Sequence, residues 1–158
     1  RGAQSRMKNI KAFVPDDPKI REKRILEQHF LSILYSVPLF APIIESLPGE
    51  LFSEDAREFL KESNNLQQMK KSSEYGKMVL LLFEETYQHT DHGELVYQTR
   101  ALLGRLIDFY VNTKKTEIIT QLENTEGVAE QKLLKQVTEL QGLKNRAVEK
   151  FDNLTKED

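Results

Sequence analysis

The stretch Arg24–Leu60, RILEQHFLSILYSVPLFAPIIESLPGELFSEDAREFL, decides the fold. Leu26, Phe30, Ile33, Leu34 and Val37 recur at spacings of three and four, which lays one apolar stripe along a first helix. Pro38 ends that helix, because its ring pushes the preceding residue out of helical angles. Pro38 and Pro42 are both tolerated in the first turn of a second helix, whose early N–H groups lack partners. Phe40, Ile43, Ile44 and Leu47 form the buried face of that second helix. Pro48-Gly49 turns the chain, and Ser53 is placed to cap a third helix, with Glu54 and Asp55 near the positive end of its dipole. Phe52, Ala56, Phe59 and Leu60 complete the cluster. Short helices this rich in Leu, Ile and Phe are not stable singly, so they predict one shared core.

Upstream, residues 1–18 carry few apolar side chains and no clear period, and read as a basic linker arm. Asp16 or Asp17 caps the helix that follows, with Pro18 at its first position and Ser36 near its end. Downstream, Ser63–Ser73 reads as a polar loop with Leu66 and Met69 as anchors. Glu74–His89 is a helix apolar around much of its circumference, which predicts a central position. After the break at Thr90–Gly93, apolar positions run from Leu95 to Leu122 with no obligatory breaker, although the stripe narrows and charge rises at Asn112–Thr116. Gly104 lies inside this run and permits close helix packing. Beyond the turn at Glu126-Gly127, Leu133, Val137, Leu140, Ala147, Phe151 and Leu154 form a heptad seam with Lys144 as its polar position. Val111, Ile118 and Leu122 match it from the preceding helix. The pattern predicts an all-α fold, a multi-helix bundle over residues 19–113 followed by a C-terminal antiparallel helical hairpin over 114–158. With no breaker at the joint, the chain is expected as a monomer or as a dimer that exchanges hairpins.

The chain has 158 residues, 39% hydrophobic and 30% charged, and no cysteine, which excludes disulfides and thiolate metal sites. No apolar run approaches the roughly 20 residues a bilayer requires. Charge is uneven along it. Residues 1–24 hold eight basic against three acidic residues, residues 25–113 seven against thirteen, and residues 114–158 eight against nine. An acidic bundle argues against nucleic-acid binding by the folded part, since phosphate contacts need clustered Lys and Arg.

Catalytic constellations are missing. His89, Asp91 and His92 read as polar residues at a helix end, because the pair lacks a second helix offering matched ligands. His29 reads as a partly buried packing residue. Glu84-Glu85 points to different helix faces, Ser72-Ser73 lacks a positioned base, and the five tyrosines form no stacking platform. The chain reads as non-catalytic, with no cofactor and no metal.

The order of motifs resembles the C-terminal helicase-binding domain of bacterial DnaG-type DNA primase. LEQHFLSILYSVPLF resembles that family's opening helix and Pro break, and LPGELFSEDAREFL the start of its third helix. LLGRLIDFYVNTKKTEIITQLENTEG followed by EQKLLKQVTELQGLKNRAV is similar to its terminal hairpin. Val37 and Leu39 depart from the family, which more often has polar residues around that proline. The resemblance implies a fragment of a replisome-associated, cytoplasmic protein that docks on the N-terminal collar of the hexameric replicative helicase, recruits primer synthesis and modulates the helicase. The collar domain of that helicase shares the opening pattern, and an unrelated coiled-coil interaction module is the third alternative. The contact set expected on the hairpin is Phe151 and Leu154 as exposed anchors, rimmed by Lys132, Lys135, Arg146 and Lys150.

Overall fold

The computed structural model describes residues 17–62 and 74–156. Among the described residues the chain forms five α-helices and two 3₁₀ segments, with no strand. In order these are α1 (Pro18–Ser36), η1 (Pro38–Ser46), η2 (Gly49–Leu51), α2 (Glu54–Glu62), α3 (Glu74–Thr86), α4 (His92–Leu122) and α5 (Val128–Thr155). The all-α expectation is what the structure shows. The terminal arm through residue 16 and the Leu66 and Met69 anchors lie outside the described residues.

Helix α1 opens as its sequence dictates, with Pro18 in the first turn and the Asp17 carboxylate accepting from the Lys19 N–H at 2.9 Å. It closes at Val37, whose extended backbone is what a residue before proline requires. The next segment, expected as a second helix, is a 3₁₀ helix with Pro42 inside it. In an α-helix the Pro42 ring would meet the carbonyl four residues back, so the tighter turn is adopted instead. It still buries Phe40 and Ile43.

The centre of the bundle is α1, where Leu26, Phe30, Leu31, Ile33 and Leu34 are buried and which packs against η1, α3 and α4. This corrects the central position expected for α3. That helix has α1 and α2 as its main neighbours among the described residues and leaves Leu81 exposed. Part-buried polar contacts lock α1 to its neighbours. The Glu27 side chain, 1% exposed, accepts from the Ser53 N–H at 2.6 Å and so ties the start of α2 to α1. Its other carboxylate oxygen has no hydrogen-bond partner among the described residues, and burial pushes its carboxyl above the ordinary carboxylate range against the opposing pull of the Ser53 bonds. The half-buried His29 shares a 2.6 Å hydrogen bond between Nδ1 and the Tyr87 hydroxyl, joining α1 to the turn after α3.

Helix α4, capped by Asp91 accepting from the Glu94 N–H at 2.9 Å, runs unbroken through the composition change at Asn112–Thr116. A reversal through Gly127, whose φ of 76° suits a residue without Cβ, sends α5 back along it. Ion pairs Arg100–Asp152 at 3.0 Å and Asp108–Lys144 at 3.0 Å show the antiparallel register. At Gly104 an added Cβ would meet the Lys144 Cε at 3.3 Å, so the missing side chain makes room for the lysine stem at the polar position of the seam. The pairing therefore reaches back to Arg100, and the 113/114 division falls inside a continuous helix. Ala147 and Phe151 of α5 are buried in the bundle core, with the Phe151 ring 5.2 Å from Phe40.

Candidate interaction surface

The two arms separate into a proximal and a distal half. Toward the bundle, Leu103, Leu106 and Ile107 of α4 and Ala147 and Phe151 of α5 are buried. From 119 to 142 no residue is buried, and among the described residues the main cover is that of one arm on the other, with Pro48 and Glu50 at one edge. Leu122, Leu133, Val137 and Leu140 are half-buried along the shared seam, as the heptad spacing requires. Outside the seam this end exposes Ile119 at 58%, Val128 at 74% and Leu134 at 49%, three apolar side chains left uncovered by the described residues.

The six residues expected as a contact set do not form one site. Lys132 and Lys135 are exposed on the distal half. Arg146 is exposed, and its guanidinium donates to the Glu139 backbone carbonyl at 3.1 Å. Lys150 is half-buried. Phe151, expected as an exposed anchor, is fully buried, and Leu154 packs half-buried against the core. The correction has a simple cause: the seam cannot cover these two side chains by itself, and η1 supplies the missing surface.

An open groove lies at the boundary of the two halves, bordered by Pro48 and Glu50 of the turn before α2 and by both arms. Lys114 anchors it, bonded to the Glu50 carboxylate at 2.8 Å and near Glu117 at 3.5 Å. The Lys114 hydrogen bond holds the Glu50 carboxyl below its ordinary range, and the same bond raises the Lys114 ammonium above its own. Burial, with Glu50 nearby, raises the Tyr110 phenol. Residues lining this groove recur at three and four along α4 and α5, a signal present in the sequence. The contribution of Pro48 and Glu50 was not, because it depends on how the bundle meets the arms.

Among the described residues no group of three or more His, Asp or Glu side chains is arranged to hold a metal ion. His92 lies against Phe40 with ring centroids 6.0 Å apart. No described helix is long and apolar enough to cross a membrane. Compared with family models, curated proteins and solved structures, the chain matches none of them.

Proposed function

We propose that this chain is a protein-interaction module, the helicase-binding domain of a DnaG-type primase that recruits primer synthesis to the replicative helicase and modulates it. The observation that supports an interaction role is the distal half of the hairpin, two helices with no third layer among the described residues and with Ile119, Val128 and Leu134 exposed. Such apolar positions set among charged residues are the ordinary composition of a small interface. The choice of partner rests on the order of motifs from Leu26 to Val148, the Pro break, the Gly-Glu-Leu-Phe turn and the terminal hairpin.

Calorimetry of the whole chain against the N-terminal domain of the replicative helicase from the same organism tests the reading. Binding should appear, and the double substitution Ile119→Asp with Val128→Asp should weaken it about tenfold, close to 1.4 kcal/mol. Circular dichroism should stay unchanged, since both side chains are exposed. No heat of binding would overturn the helicase assignment, and ring-sized oligomers of the chain alone in sedimentation would assign it to a helicase collar instead.

A further inference from the structure

The open groove between the arms has a volume of about 460 Å³. Tyr110 and Ile118 from α4 and Leu140 and Leu143 from α5 supply its apolar surface. On α4 the lining continues at 114, 117 and 121, and on α5 at 136, 139 and 146, so each helix offers a stripe about three turns long, roughly 16 Å. A trough parallel to two helices, with anchors at that spacing, has the shape that receives a third helix.

Charge decides what kind of helix. The groove holds the carboxylates of Glu50, Glu117 and Glu139 against the cations of Lys114 and Arg146. Lys114 is committed to Glu50 and Glu117, while Arg146 donates to the Glu139 carbonyl and not to its carboxylate. Among the described residues no cation pairs with the Glu139 carboxylate. The neighbouring stretch 25–113 carries thirteen acidic against seven basic residues, so its field has the same sign.

From this geometry we infer that the groove docks a cationic amphipathic helix of a partner protein. The apolar face of that helix meets Tyr110, Ile118, Leu140 and Leu143, and its lysine or arginine pairs with Glu139. The inference rests on the interaction-module reading above and specifies the segment the partner presents.

The test titrates the ¹⁵N-labelled chain with a Leu/Lys amphipathic helical peptide of about 14 residues, roughly 20 Å long, and with its Leu/Glu counterpart. The Leu/Lys peptide should shift the amides of Glu117, Gln121, Glu139 and Leu143, and the Leu/Glu peptide should not. Glu139→Lys should weaken the Leu/Lys peptide about fivefold or more. Glu84→Lys, in a separate hollow beside Tyr35 and Phe83, should leave the affinity unchanged. Equal losses in the two variants, shifts spread over the acidic surface, no shifts, or equal binding of both peptides would each overturn the inference. So would concentration-dependent self-association through the same amides, which would give the groove to a second copy of the chain. The helicase N-terminal domain is then titrated into the same sample. Binding at other amides removes the groove and keeps the helicase reading, whereas peptide binding without helicase binding keeps the groove and removes that reading.

Discussion

Phe151→Ala distinguishes a hairpin that is an appendage from one that completes the bundle. The Phe151 ring is fully buried and meets Phe40 at 5.2 Å with planes 63° apart. Truncating a buried phenylalanine to alanine costs about 3 to 5 kcal/mol, of which the aromatic pair supplies roughly 0.5 to 1.5 kcal/mol. Against a native stability of about 5 to 15 kcal/mol, this is a large share. With a urea dependence near 2 kcal/mol per molar, the midpoint should fall by about 2 M in one cooperative transition followed by far-UV circular dichroism. Leu134→Ala, at a half-exposed position on the distal half, should change stability by less than about 0.5 kcal/mol. If Phe151→Ala shifted the midpoint by less than about 0.5 M, or split the transition into an unchanged bundle and a weakened hairpin, the packing argument would be wrong. By the same reasoning a chain cut after Thr113 should not hold its fold. It loses Ile118, Ala147 and Phe151 and uncovers Phe40.

Two further perturbations follow from local geometry. Glu27 is raised by burial, so the native state keeps its proton to higher pH than the unfolded chain, and its contribution falls as pH rises from the ordinary glutamate value through the raised one. Glu27→Gln can keep an acceptor for the Ser53 N–H without the buried charge; its stability relative to wild type, measured by urea unfolding, should rise between pH 4 and pH 7, and a fall would refute the desolvation account. Gly127→Ala places a Cβ in a backbone of φ 76° and should lower stability by about 1 kcal/mol, read as a lower thermal midpoint, although nothing lies within 4 Å to collide with it.

What was legible in the sequence was local or one-dimensional. The stripe Leu26, Phe30, Ile33, Leu34, the stop at Pro38 and the reversal at Gly127 each follow from helical period or backbone sterics acting within a few residues. The seam from Leu133 to Leu154 was legible for the same reason, including Lys144 as the position where a charge had to be accommodated. The 3₁₀ form of Pro38–Ser46 was open to the same reading, since the apolar spacing fits either helix but Pro42, four residues after Pro38, disfavours the α form. Tertiary structure alone decided the rest. A phenylalanine in a heptad seam has the same spacing whether one helix or a whole bundle faces it, so only the position of η1 shows that Phe151 is core and not contact surface. Glu27 sits among apolar residues in the sequence with no sign of Ser53, twenty-six residues away, whose N–H it accepts. The groove likewise needs Pro48 and Glu50 brought beside Lys114, Ile118 and Leu140. Local periodicity specifies which face of a helix avoids water; which neighbour covers that face is settled only when all the faces are packed together.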